Sequence, residues 1–327
     1  MRRHHFHSPV VEAIYDSKGA IFALGSGEVV FDSGERVLAH GGAVLCACAH
    51  PSGEGIVTGG DDGEVIWSRR DGAHSLLSQS GAWFDQIAAG TSGLIAVASG
   101  RKVSVLDARD PHFRRILDHE RPVLALAFDA SGRRLFTAAS GGVSIWFARI
   151  ESQTPKRLVH AGAHRSISVS PDDRFVFTAM HDQQLHGWRL QDGREMRMGG
   201  YPGRTRTMSY MERGRRLATS GARGVVIWPL DGKNGPMGRE ASEIGHEIGE
   251  QSGALVALVD SATDHGRIVA GLSNGLVWWS EPLAGKMAFV SDEMDAGVTA
   301  LAMRADGCEV AVGREDGVAM IEDIGQD

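Results

Sequence analysis

The chain has 327 residues, 42% of them hydrophobic and 23% charged, with a formal net charge of −7 at pH 7. Those proportions suit a packed core, and the negative balance excludes a general nucleic-acid binder, which needs a basic face to neutralise phosphates. Cys46, Cys48 and Cys308 are too few for a disulfide framework, and no apolar run approaches the ~18 residues of a membrane span.

The first segment, MRRHHFHSP, carries no apolar run behind its basic residues, so no secretory signal is visible and a cytoplasmic protein is expected. Residues 2–8 are expected to form an outer strand. Residues 10–31 then hold a weak set of three short strands. The clearest set follows an outer strand at 35–40: an inner strand at 44–49, a turn at 51–53, a second strand at 55–58, a turn at 59–63 and a third strand at 64–67, with an outer strand at 74–79. Cys46 and Cys48 lie two apart on the inner strand, share a face and are read as small core residues.

A second weak set spans 83–106, with an outer strand at 113–118. The fourth set is 123–128, 134–138 and 142–146, with 156–160 outside it. The fifth is 165–170, 174–178 and 184–188, with 194–199 outside. The sixth is 205–210, 216–219 and 225–228, with 239–244 outside. Residues 253–279, which include a longer first turn, and 297–321 add two more sets, separated by an outer strand at 286–291. Helix is nearly absent from the pattern, and the 43 glycines suit tight turns between short strands.

Third strands end on Phe31, Trp67, Leu106, Trp146, Trp188, Trp228, Trp279 and Ile321, at intervals of 36, 39, 40, 42, 40, 51 and 42 residues. A recurrence near 40 residues built of four short strands is the period of a β-propeller blade. The expected fold is therefore all-β: a single closed β-propeller domain over 1–327, with eight blades favoured and seven the alternative. No outer strand follows 297–321, so residues 2–8 are expected to pair with the last blade and cover its edge. Only five of the 34 basic residues are lysine, a bias read as that of a GC-rich, bacterial genome.

Within the sets, His40, Thr58, Asp61 or Asp62, and Trp67 recur as His160, Thr178, Asp182 and Trp188. The fourth set keeps His119, Thr137 and Trp146 but has Ser140 and Gly141 in the turn. The sixth keeps Thr219 and Trp228 with Tyr201 in the histidine place. In this the chain resembles the WD-repeat β-propellers over nearly its whole length. The resemblance implies that these His, Thr, Asp and Trp side chains brace each blade through hydrogen bonds, as a buried indole N–H and a buried carboxylate require.

No catalytic constellation is present: no GxSxG elbow, HExxH helix or phosphate-binding loop. His4, His5 and His7 could ligate a metal, but on a strand His4 points away from the other two, and incidental histidines are the favoured reading. No cofactor and no metal are expected. The leading function is a non-enzymatic scaffold, monomeric by itself, that binds a protein or peptide partner. The competing reading is an enzyme, or a small-ligand or metal binder, using the axial cavity. The resemblance puts the docking face on the loops that carry the His and Asp turns, which here offer Trp83, Arg101, Arg121, Met180, His181, Tyr201, Arg204, Arg223 and Arg314. Five arginines on one rim would suit an acidic partner, bound more weakly at high salt.

Overall fold

The computed structural model describes residues 1–262 and 266–325. Among the described residues the regular secondary structure is almost wholly antiparallel strands, with one α-helix, His246–Ser252, and two single-turn 3₁₀ segments. The longer first turn expected in the seventh set falls at 263–265, outside the described residues. The chain divides into two compact units, residues 14–169 and residues 1–13 with 170–327.

In the unit of residues 14–169 the best-formed sheet is Val44–Ala49, Ile56–Gly60, Glu64–Arg69 and Gly72–Ser78, hydrogen-bonded in that order. Its strands form because apolar side chains alternate or run through them and its corners hold Gly, Asp and Ser. Gly63 shows why a corner needs glycine. Its φ is +85° and a Cβ there would lie 2.3 Å from the Gln79 carbonyl oxygen, while its own carbonyl accepts the Gln79 N–H at 2.8 Å. Gln86–Ala89, Leu94–Ser99, Lys102–Asp107 and Asp110–Asp118 repeat the plan, so the weak set at 83–106 is a true repeat.

Among the described residues the strands form seven sheets, six of four strands and one of six, rather than the eight blades favoured from the sequence. The alternative number, seven, matches the sheet count. The difference arises at two strands of 14 residues, Arg134–Phe147 and Lys156–Val169. Each runs through a point where the pattern suggested a break. Ladder pairing continues across the Ser140–Gly142 corner, with Val123 opposite Ala139, Ser140 opposite Ala163 and Gly142 opposite Val159. The outer strand expected at 156–160 and the inner strand expected at 165–170 are largely one strand, Lys156–Val169.

The other unit stacks three complete sheets. One runs Met208–Met211, Arg216–Thr219, Val225–Pro229, Ser242–Ile244; the next Val256–Ser261, Ile268–Leu272, Val277–Glu281, Lys286–Ser291. The middle sheet is covered on both faces. Met211, Ala218, Val225, Ile227 and Trp278 pack on one side, and Trp279, Val298, Val310 and Val312 on the other. Trp278 and Trp279 point to opposite faces of their strand, and both are buried: Trp278 is 0% exposed and Trp279 6%. The 51-residue interval before Trp279 accommodates the helix His246–Ser252.

The third sheet is Val298–Met303, Glu309–Arg314 and Val318–Asp323, completed by Arg2–His5. Arg2 lies opposite Ile321, Arg3 opposite Met320, His4 opposite Ala319 and His5 opposite Val318. The Phe6 N–H donates to the Gly317 carbonyl at 2.9 Å, and Arg2 and Arg3 pair with Glu309 and Glu293 at 2.8 and 2.5 Å. Deleting residues 1–8 should bare the edge of Val318–Asp323, lower the melting temperature and promote aggregation. Thermal melts with light scattering test this; an unchanged midpoint with a monodisperse product would count against it.

Candidate functional site

The bracing residues are best resolved in three sets. In the first, His40 Nε2 lies 2.8 Å from Thr58 Oγ1 and Nδ1 lies 3.0 Å from Asp62 Oδ1, while the Gly41 N–H donates to Asp62 Oδ2 at 2.9 Å. Burial works against the Asp62 charge, but the bonds from His40 and from the Glu64 and Gly41 N–H groups outweigh it and hold this carboxyl below the usual range. Trp67 departs from its expected role: its indole donates to the Glu54 carbonyl at 2.8 Å and its ring stacks on His50 at 3.9 Å.

The second set lacks the acid. His119 Nε2 meets Thr137 Oγ1 at 2.9 Å, Trp146 Nε1 donates to the same hydroxyl at 3.3 Å, and His119 Nδ1 turns to the Leu117 carbonyl at 3.1 Å. In the third set Tyr201 replaces histidine. Its hydroxyl lies 2.7 Å from Thr219 Oγ1 and accepts the Trp228 indole N–H at 2.7 Å. Burial pushes the Tyr201 phenol up to about 12, so it stays a neutral donor and acceptor. The remaining residues are placed less completely. Thr178 Oγ1 donates to the His186 carbonyl at 3.1 Å, buried Trp188 packs edge-on against His186 at 4.5 Å, exposed Asp182 accepts from Gln184, and His160 packs edge-on against His164.

Of the nine residues expected on a docking face, three are not at the surface. Met180 is buried, Tyr201 belongs to the bracing network, and Arg314 is 1% exposed. The Arg314 guanidinium is drawn inward because its Nη2 donates to the Gly275 carbonyl at 3.1 Å and to Ser291 Oγ at 2.9 Å, and its Nη1 lies 3.4 Å from Glu293. Arg204, Arg223 and His181 are exposed in the same unit. The Gly203 N–H donates to the Gly221 carbonyl, tying the two arginine loops together, and Arg223 faces Glu250 of the helix at 4.0 Å.

Trp83, Arg101 and Arg121 are exposed in the unit of residues 14–169. A short hydrogen-bond chain joins their loops. The Trp83 N–H donates to Ser99 Oγ at 3.3 Å, Val123 N–H to the Gly100 carbonyl at 2.8 Å and His119 N–H to the Arg101 carbonyl at 2.9 Å. Trp83 itself is 65% exposed.

Sequence reasoning passed over two carboxylates. Ser209 Oγ donates to Asp260 Oδ1 at 3.0 Å and the Met303 N–H to Oδ2 at 2.9 Å, yet burial raises this carboxyl. Burial, opposed by a bond from the Ala13 N–H and reinforced by the Asp260 charge, pushes Glu12 up to about 7. The available signal was an acidic residue inside each apolar inner-strand run, VVEAI and ALVDS. Among the described residues, His4, His5 and His7 do not bring three ligand atoms together.

The WD40 family model (WD domain, G-beta repeat) matches residues 34–67 and 112–146. These segments carry the His40–Thr58–Asp62 and His119–Thr137–Trp146 networks. Both segments match this repeat model. No curated protein matches the chain. Among solved structures, it is similar to the computationally designed Ika8 protein, with a TM-score of 0.74 and 16% identity over 98% of each chain, a likeness of fold alone. In these segments His40 and His119 are occupied by Thr58 and Thr137. Among the described residues, no helix is long and apolar enough to cross a membrane.

Proposed function

We propose that the chain is a non-enzymatic interaction module that holds a protein partner through the joined loops of Trp83, Arg101 and Arg121. The observation that carries this reading is the exposure of Trp83 beside two exposed arginines, on loops fixed to one another by hydrogen bonds. An indole left in water costs hydrophobic free energy that a partner's surface recovers, and Trp and Arg are the side chains enriched in binding hot spots. The rigid sheets beneath hold these loops in place, which limits the entropy lost on binding. An acidic partner fits the two cations.

Parallel affinity capture with the wild type and Trp83→Ala tests the reading. A partner recovered stoichiometrically by the wild type should bind the variant more weakly by about 2 kcal/mol or more, the range of a hot-spot residue, and its recovery should fall with salt. The variant's melting temperature should barely move, since Trp83 is exposed. Recovery indifferent to both the substitution and salt would move the interface elsewhere.

A further inference from the structure

The two WD40 repeats correspond at a constant offset of 79 residues: His40 with His119, Thr58 with Thr137, Gly63 with Gly142 and Trp67 with Trp146. The same offset sets Asp61 against Ser140 and Asp62 against Gly141. In the earlier repeat both acids are used. Asp62 meets His40 Nδ1 and the Gly41 N–H, and Asp61 accepts the Ala43 N–H at 2.8 Å. In the later repeat neither carboxylate exists, and a Cβ built on Gly141 meets nothing within 4 Å.

A cavity of about 220 Å³ opens beside this turn, at Ser140 and Gly142, lined also by His119, Arg121, Trp146 and Arg157. That is room for a carboxylate side chain rather than a drug-sized molecule. The lining supplies two guanidinium groups and three hydroxyls, on Ser140, Ser144 and Thr154, donors that suit a planar anion. Asp118 and Glu120 also border it, and Glu120 holds Arg157 at 3.1 Å. A guest acid therefore has to compete with Glu120 for Arg157.

We propose that this cavity receives an aspartate or glutamate side chain of the protein partner, which fills the place that Asp61 and Asp62 occupy in the earlier repeat. The inference rests on the interaction reading above and names the chemistry of the partner residue. Burial keeps His119 below the usual histidine range, so near neutral pH the cations that face the guest are Arg121 and Arg157, and the groups that oppose it are Asp118 and Glu120.

The test uses the full chain and a capped peptide, acetyl-Gly-Glu-Gly-amide, with its Gln counterpart as control, read by NMR at the Trp146 indole N–H. The glutamyl peptide should shift that resonance saturably and the glutaminyl peptide should not. Arg157→Gln should weaken binding and Glu120→Gln should strengthen it, each by roughly two- to fivefold, the scale of one exposed ion pair. No shift, an equal shift with the Gln peptide, or a response unchanged in Arg157→Gln would overturn the proposal. The two readings fail separately: partner capture that depends on Trp83 but is indifferent to Arg157→Gln leaves the interaction module standing without its carboxylate pocket.

Discussion

Trp278→Ala should destabilise the protein by about 3 to 5 kcal/mol, the cost of emptying a large aromatic site in a packed core. Trp278 is fully buried among Met211, Ile227, Val256 and Leu272. Its six-membered ring also lies against Gly245, where a Cβ would approach within 2.6 Å. Gly245 has φ +73° and precedes the helix His246–Ser252, so one residue serves both the left-handed entry and the space for the indole. Trp188→Ala should cost a similar amount. Trp278 Nε1 has no hydrogen-bond acceptor among the described residues, so Trp278→Phe removes an unsatisfied buried donor, which offsets part of the lost contact. Urea unfolding of these three variants checks this; a Trp278→Ala loss under ~1 kcal/mol would show that the neighbouring sheets do not need this side chain.

Glu12→Gln should become progressively more stable than the wild type as pH rises from 5 to 8, by roughly 2 to 3 kcal/mol over that span. The folded Glu12 carboxyl is raised to about 7 from an ordinary value of 4.5. A carboxyl raised on folding binds its proton more tightly in the native state, so its stabilising contribution is complete below the unfolded value and is lost as pH rises through the folded one. Glu12 keeps some accessible surface, which makes the figure an upper bound. The comparison must be between variant and wild type, because His50 acts in the opposite sense. Burial, with the Arg69 charge, holds His50 down at about 4, so its contribution grows with pH between about 4 and 6.5. Denaturant midpoints at matched pH provide the measurement. A variant-to-wild-type difference that stays flat from pH 5 to 8 would place the Glu12 titration outside this window.

Much of the fold is readable in the chain because a strand declares itself locally, through apolar alternation closed by Gly, Asp and Ser corners. The Thr58 and Thr137 networks, the tyrosine standing in for histidine at 201, and the place of residues 2–5 beside Val318–Asp323 all follow from position within the repeat. Direction is harder to read than position. Arg314 ends the strand Glu309–Arg314, finds a carbonyl, a hydroxyl and Glu293, and is buried, while Arg223, in the turn before Val225–Pro229, stays outside against Glu250.

The amino-acid sequence by itself determined the strand sets, their period and which side chains could brace them, since these depend on residue type and on spacing of a few residues. Tertiary structure alone decided three things. Whether 156–160 and 165–170 form two strands or one depends on the ladder that carries Lys156–Val169 past the Ser140–Gly142 corner. The burial of both Trp278 and Trp279 depends on a neighbour covering each face of their sheet. The cavity beside His119 depends on the fold bringing together side chains from 118–121, 139–146 and 154–157, which are far apart in the sequence.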